Sequence, residues 1–218
     1  MLLAIDTATR NASVALYDDS RVWAEHTWVS DQNHTVELMP VIVQMFAQQR
    51  IAPAHLNGVA ATIGPGSFTG MRIGLSVAKG FSLALGIPLV GIPTLDVVAE
   101  PYSEQRLPVC AVAHAGRGRF CAAVYQRQRN KWTRQGEFQL VRPDQLPSLV
   151  DDKAIFCGEL DAEARQAVEE ALGDAAIIAS PARATRRAAV LAEMAWERVC
   201  SGQGDALALL SPIYLHTV

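Results

Sequence analysis

The sequence has little charge and few aromatic residues, and its cysteines stand apart from one another. Charged residues make up 19% of the 218 positions and aromatic residues 6%. The four cysteines, at positions 110, 121, 157 and 200, show no Cys-x-x-Cys spacing, which favours buried reduced thiols over a disulfide framework or a zinc site. No apolar run reaches the about 18 residues of a membrane helix, and the N-terminus lacks a basic leader region. We therefore expect a soluble, cytoplasmic protein.

A broad excess of positive charge is also lacking. The net charge is -3 and the pI about 5.9, which disfavours a protein that holds RNA by itself. Two local basic groups, at residues 127–134 and 183–187, are typical of solvated surface, although they could assist a partner that binds RNA. The 50% hydrophobic fraction indicates a folded protein, and the length suits one large domain or two compact ones.

What the sequence does have is a glycine-rich turn, Gly-Pro-Gly-Ser-Phe-Thr-Gly-Met-Arg-Ile-Gly, from Gly64 to Gly74. It follows an apolar strand predicted at 58–63 and precedes a helix predicted at 73–85 that Ser67 or Thr69 could cap. Neither nucleotide-binding fingerprint fits it. The turn could still cradle an anion at the helix start, or it could allow close packing. Residue types favour packing, because Gly70, Gly74 and Ala78 form a bare stripe four residues apart.

A second feature is the helix predicted from His34 to Arg50. Its apolar positions cover more than the single stripe of a surface helix, so one face can pack on a sheet while the other requires a partner. Pro40 predicts a kink or a late start of the helix. No other histidine stands three or four residues from His34, so a capping or interface role is favoured over metal binding.

The first two strands are joined by a loop that begins with Asp6 and Thr7. A carboxylate and a hydroxyl at this position could meet a phosphate or its metal ion, or they could satisfy backbone groups of the turn. The element order βββαβα is predicted twice along the chain, although no residue repeat accompanies it. We therefore predict two lobes, at residues 1–100 and 107–200, and a tail at 201–218 that returns toward the first lobe.

Several motifs spread along the chain together resemble the TsaB (YeaZ) family. They are Asp6-Thr-Ala-Thr9, His34-Thr35, the whole glycine stretch, Gly91-x-x-Thr94-Leu95 and Pro212-x-Tyr214-Leu215. The resemblance implies an α/β fold of the actin/Hsp70-like superfamily, with two lobes built on ribonuclease-H-like sheets.

The resemblance also implies a function as a partner subunit. Proteins of this family pair with a TsaD-like enzyme and a TsaE-like ATPase to place a threonylcarbamoyl group on the adenosine beside the anticodon of tRNAs that read codons starting with A. They use the two helices of the first lobe to bind TsaD, or to form a homodimer when alone. On these helices we predict that Leu38→Glu or Met45→Glu abolishes heterodimer formation while the fold stays soluble. The predicted interface residues are His34, Leu38, Val41, Met45, Thr69, Gly70, Arg72, Gly74 and Ala78.

Comparison with the catalytic family predicts that this chain has no catalytic residues. TsaD-like enzymes carry a His-x-x-x-His metal pair, whereas the corresponding positions here are Thr94 and Val98. We expect no intrinsic cofactor or metal. ATP or ADP at the interface of the complex is the one expected nucleotide, with Asp6 and Thr7 as its ligands.

The second lobe departs from the family pattern. His114-Ala115-Gly116 stands where relatives commonly have Asp-Ala-Arg, which removes a carboxylate and a guanidinium from a phosphate-facing turn. This change argues against the main alternative function, an ATP-dependent phosphotransferase or ATPase. A protease is a further alternative, but no Ser/His/Asp or Cys/His arrangement can be placed.

Overall fold

A computed structural model describes residues 1–31 and 33–215, and it divides the chain into two compact units. Unit 1 comprises residues 1–93 and 187–213. Unit 2 comprises residues 94–186 together with Tyr214 and Leu215. The chain thus leaves the first unit, builds the second, and returns.

Each unit contains a five-stranded mixed sheet. The strands are β1 (Leu2–Asp6), β2 (Asn11–Asp18), β3 (Arg21–Val29), β4 (Gly58–Thr62), β5 (Leu89–Ile92), β6 (Val109–Gly116), β7 (Arg119–Gln128), β8 (Lys131–Val141), β9 (Ala154–Gly158) and β10 (Ala176–Ile178). The helices are α1 (His34–Gln49), α2 (Phe68–Leu85), α3 (Thr94–Ala99), α4 (Ala162–Leu172), α5 (Pro181–Ala184) and α6 (Ala188–Cys200). Short 3-10 turns lie at 53–55, 100–102, 143–149 and 173–175.

The two sheets have the same topology. Strands run in the order β3-β2-β1-β4-β5 in unit 1 and β10-β9-β6-β7-β8 in unit 2. In each sheet three consecutive antiparallel strands are followed by strands parallel to the first. The first strand of each unit lies at the centre, and all five residues of β1 are buried, as expected for a strand covered on both faces. The doubled order predicted from the sequence is therefore present, with the 3-10 segment at 143–149 of unit 2 in the place that α1 occupies in unit 1, and the fold is the two-lobed α/β fold.

The lobe boundaries differ from the predicted ones in two places. The helix assigned to the second lobe at 184–200 is α6, which belongs to unit 1, and α3 belongs to unit 2 instead of the first lobe. The reason is packing: α6 buries Leu191 and Ala195, and the backbone amide of Ala188 donates to Ser13 Oγ of β2 at 3.0 Å. Residues 205–213 also lie on unit 1, where Asp205 Oδ2 accepts from the amide of Gly91 at 2.8 Å.

Two helix starts also differ from the sequence-based expectation. Helix α1 begins at His34 with Pro40 inside it, so proline does not delay its start. Helix α2 begins at Phe68, five residues before the predicted start, because Ser67 caps it: Ser67 Oγ accepts from the amide of Gly70 at 3.3 Å. Most of the glycine-rich turn is thus the first turns of a helix.

Candidate functional site: the α1–α2 face of unit 1

The glycine stripe of α2 faces the sheet of its own unit. Gly70, Gly74 and Ala78 are buried. A Cβ on Gly70 would collide with the carbonyl oxygen of Thr7, and one on Gly74 would collide with the Thr7 side chain. The stripe therefore allows close packing, as predicted, but against β1 and its following loop. These three residues, predicted to contact a partner, are instead buried against their own unit.

Three α1 residues predicted to contact the partner also face inward. Leu38 is 1% exposed and Met45 5% exposed, and both pack in the core of unit 1. Val41 is half-buried against the same core. The expectation that Leu38→Glu or Met45→Glu would leave the fold intact is therefore corrected, because a carboxylate at either position would lie among apolar side chains.

The outer faces of α1 and α2 carry exposed apolar side chains. Val36, Met39 and Val43 of α1 are 70%, 40% and 59% exposed, and Phe68 of α2 is 54% exposed. The three α1 positions are separated by three and four residues, so they form one stripe. We call these four side chains the apolar face. Apolar side chains grouped on adjacent helices, unlike ones exposed singly, are often interaction sites.

A groove of about 440 Å³ runs between the two helices beside the apolar face. Its lining residues are His34, Thr35, Leu38, Met39, Phe68, Thr69, Arg72, Ile73, Ser76 and Val77. Of the residues predicted to contact a partner, four line this groove: His34, Leu38, Thr69 and Arg72. The predicted interface did not include Val36, Met39, Val43 or Phe68, although the helical spacing of the three α1 positions is visible in the sequence.

A smaller pocket of about 200 Å³ lies at the N-terminal end of the groove, lined by Arg10, His34, Ser67, Thr69, Gly70 and Ile73. His34 is buried there, and its Nε2 lies 3.0 Å from the carbonyl oxygen of Thr9. The Arg10 guanidinium pairs with Asp31 at 2.8 Å on the surface. His34 thus ties α1 to the loop after β1, which agrees with a capping or interface role more than with metal binding.

Asp6 and Thr7, the predicted phosphate ligands, are buried and hydrogen-bonded inside unit 1. Asp6 Oδ1 accepts from the amide of Ala8 at 3.0 Å and from Thr62 Oγ1 at 2.9 Å. Thr7 Oγ1 donates to the carbonyl oxygen of Gly70 at 2.7 Å. These bonds join the end of β1 to β4 and to the start of α2, so both side chains position the loop beside the groove.

In unit 2, the turn His114-Ala115-Gly116 differs from the family pattern. A buried ion pair lies behind it. Arg186 Nη1 contacts Glu159 Oε1 at 3.2 Å, and Glu159 Oε2 accepts from the amide of His114 at 3.0 Å. Both charged side chains are less than a tenth exposed. A guanidinium and a carboxylate therefore lie behind this turn, bound to each other, and no local sequence signal joins residues so far apart.

A family model and a relative that match this chain in sequence both concern the threonylcarbamoyl modification of tRNA. The family model described as "TsaD: tRNA N6-adenosine threonylcarbamoyltransferase" matches residues 28–199. The tRNA threonylcarbamoyladenosine biosynthesis protein TsaB of Bacillus subtilis (strain 168) is 29% identical over 206 residues, which is 90% of this chain and 87% of that protein.

Solved structures agree with this relationship. The structure of YeaZ from Pseudomonas aeruginosa superimposes with a TM-score of 0.77 and 26% identity, covering 98% of this chain and 99% of that one. The activator of 2-hydroxyisocaproyl-CoA dehydratase from Clostridium difficile, solved with bound ADPNP, gives a TM-score of 0.60 at 12% identity over 93% of this chain and 96% of that one. At that identity the likeness shows the fold alone, which is the actin/Hsp70-like two-lobed α/β fold.

Proposed function

Because this chain belongs to the TsaD family and, within it, to the TsaB (YeaZ) group, we propose that it is a subunit for threonylcarbamoylation of tRNA. In this proposal it binds a TsaD-like paralogue through the α1–α2 face and holds that enzyme in an active arrangement. The reaction places the threonylcarbamoyl group on the adenosine beside the anticodon of tRNAs that read codons starting with A.

The observation that carries the proposal is the apolar face beside the groove. Val36, Met39, Val43 and Phe68 expose large apolar side chains on two adjacent helices of unit 1. Burying such side chains in an interface stabilises association by roughly 25 cal/mol per Å² of apolar surface before the costs of binding are subtracted. An amphipathic helix that lies in a groove is a common way to cover a face of this kind.

The proposal assigns the remaining roles to the assembled complex. A TsaE-like ATPase and tRNA join through the TsaD-like enzyme, and a second copy of this chain covers the apolar face when that enzyme is missing. ATP or ADP binds at the junction of the complex, in the cytoplasm. In the described residues no helix combines the length and apolar character needed to cross a membrane. The bonds that Asp6 and Thr7 make within unit 1 weigh against an independent phosphotransferase.

The test is the amount of threonylcarbamoyladenosine in tRNA from cells depleted of this protein. Depletion is expected to lower the modified nucleoside, and the wild-type gene to restore it. Met39→Glu is expected to fail to restore it. Ile177→Glu is the matched control, because Ile177 is 41% exposed, like Met39 at 40%, but lies on β10 of unit 2. Unchanged modification after depletion would refute the proposed function.

A further inference from the structure

The structure distinguishes the two basic groups that stand out in the sequence. In the group at 183–187, Arg186 is buried against Glu159, and Arg187 pairs with Glu25 on β3. Two of the three arginines in this group therefore already have a carboxylate partner. The group leaves little positive charge for an outside partner.

The group at 127–134 lies on the hairpin formed by β7 and β8 in unit 2, and less of its charge is neutralised. Arg127, at the base of the hairpin, donates two hydrogen bonds to the Glu104 carboxylate, at 2.9 and 3.1 Å. Arg129 and Lys131, at its end, are exposed, and in the part of the chain that the structure describes no carboxylate pairs with either. Their positive charge is therefore accessible to an outside partner.

The hairpin ends in a tight turn of two residues, Arg129 and Asn130. Gln128 and Lys131 lie opposite each other in the strand register, so they close the turn on one face of the hairpin. Arg129 (φ 47°) and Asn130 (φ 67°) are both in the left-handed conformation that such a turn requires. Asn and Gly are the usual residues there, so turn preference does not explain an arginine at the first position. We call Gln128, Arg129, Asn130 and Lys131 the hairpin tip.

One face of this hairpin is packed and the other is polar. Tyr125 and Trp132 stack with their ring centres 5.9 Å apart and pack in the core of unit 2. On the opposite face, Gln128 Nε2 donates to Gln135 Oε1 at 2.9 Å, and Gln135 Nε2 donates to Thr133 Oγ1 at 3.0 Å. Packing and hydrogen bonds therefore both hold the two strands together beneath the hairpin tip.

The chemistry of the hairpin tip matches a phosphate backbone better than a protein surface. Protein interfaces have apolar or aromatic side chains at their centre. Within the described residues, none of the exposed large apolar side chains lies between positions 84 and 176. Arginine, lysine, asparagine and glutamine are instead common donors to the phosphate oxygens of nucleic acids, and the hairpin tip contains one of each.

We infer that the hairpin tip contacts the phosphate backbone of the tRNA substrate when this chain is bound to the TsaD-like enzyme. Two exposed cations are too few to hold RNA alone, which agrees with the net charge of -3, so they add to the contacts that the enzyme makes. Phosphate contacts position a nucleic acid without reading its sequence, so the hairpin tip orients the tRNA and does not select it. The inference rests on the proposed function, because it assumes that this chain works in a complex that binds tRNA.

The experiment measures the dissociation constant between a tRNA and the purified complex of the full-length chain with the TsaD-like protein of the same genome. The probe is a labelled, unmodified transcript of a tRNA that reads codons starting with A, and binding is followed by fluorescence anisotropy. The double variant Arg129→Glu, Lys131→Glu is expected to raise the dissociation constant at least about tenfold at about 100 mM NaCl, because repulsion replaces two phosphate contacts. The double variant Arg129→Gln, Lys131→Gln is expected to raise it by a smaller factor.

Salt dependence separates phosphate contacts from a merely structural role. The slope of the logarithm of the dissociation constant against the logarithm of the salt concentration is expected to be shallower by about 1–2 in the Gln double variant, because two contacts that release counterions are lost. The exposed positions of both substitutions predict a wild-type urea midpoint for each double variant.

Arg117→Glu is the matched control for the single variant Arg129→Glu, because both remove one positive and add one negative charge. Arg117 is also an exposed arginine in the left-handed conformation, with φ 54°, but it lies in the turn between β6 and β7. The 10 residues of β7 separate the two turns by about 33 Å, more than the Debye length of about 10 Å at 0.1 M salt. Arg129→Glu is expected to raise the dissociation constant at least about threefold, and Arg117→Glu less than about 1.5-fold.

The inference and the proposed function fail in different ways. If the heterodimer forms but binds no tRNA, or if the Glu double variant binds tRNA with the wild-type constant and salt slope, the contact is refuted and the proposed function survives. An equal loss with Arg117→Glu would assign the effect to net charge and also refute it. Weaker binding of the TsaD-like or TsaE-like protein with unchanged tRNA binding would make the hairpin tip a protein contact instead. If wild-type protein does not bind the TsaD-like protein at all, the proposed function itself fails.

Discussion

Leu38 and Met39 are neighbours on α1 that differ sharply in burial, so the same substitution at each should have different consequences. Leu38 is 1% exposed in the core of unit 1, whereas Met39 is 40% exposed and lines the groove. Replacing either with Glu adds the same charge to the same turn of helix. Comparing the two variants therefore distinguishes loss of core packing from loss of binding, because the two proteins have almost the same composition.

The magnitudes follow from burial. Leu38→Glu loses about 1.5–3 kcal/mol of side-chain burial and adds the cost of an unpaired buried carboxylate, several kcal/mol more. That sum is a large part of the about 5–15 kcal/mol that stabilises a domain, so the variant should be unfolded or close to it. At Met39 a glutamate reaches water, and the free energy of unfolding should change by about 1 kcal/mol or less.

The assays are urea unfolding followed by circular dichroism, and size-exclusion chromatography with the TsaD-like protein. Met39→Glu is expected to unfold at nearly the wild-type urea midpoint but to lose at least about 2 kcal/mol of binding free energy, the threshold of an interface hot spot. A glutamate at this position places a charge in an otherwise apolar contact, and its desolvation on binding weakens the complex. A stable Leu38→Glu variant would refute the inward orientation of Leu38. Full binding by Met39→Glu would refute the location of the binding face.

Three further predictions concern packing, buried charge and thiols. Gly70→Ala should destabilise unit 1 by roughly 1–3 kcal/mol in urea unfolding. Gly80→Ala in the same helix has open space around it and should stabilise the protein by about 0.5–1 kcal/mol. Equal effects would refute the close approach of α2 to β1. Arg186→Leu should cost about 3–5 kcal/mol by leaving Glu159 buried without its cation, and a cost under about 1 kcal/mol would contradict the burial of the pair. Cys200 is exposed, whereas burial raises the pKa of the other three thiols. A thiol reagent near pH 8 should therefore label one cysteine in the native protein and four after unfolding. Four rapid reactions in the native state would be inconsistent with the fold.

Most strands and helices could be predicted from the sequence, because the patterns that indicate them are local. The apolar runs of the strands, the capping serine at Ser67 and the spacing within α1 depend on residues close together in the chain. The doubled order of elements predicted two lobes, and the resemblance to the TsaB family implied the same arrangement. The helix start at Phe68 was not predicted, because glycine is as typical of a turn as of a helix that lies close to a strand.

The orientation of the binding face could not be predicted, because it depends on what each helix packs against. Helix α1 has two apolar stripes, one with Leu38 and Met45 and one with Val36 and Val43, and composition does not distinguish them. The bare glycine stripe was equally ambiguous, because the sequence does not show that Thr7, in the loop after β1, lies beside it. The same limit applies to α6, which joins unit 1 through contacts with residues more than a hundred positions away.

The most direct test of the central claim is to locate the contact by photo-crosslinking within the purified complex. A photoreactive amino acid at Val43, an exposed member of the apolar face, should capture the TsaD-like protein on irradiation. The same amino acid at Ile177 of unit 2, also exposed and apolar, should not. Crosslinks from Ile177 without any from Val43 would contradict the account and place the partner elsewhere on the molecule.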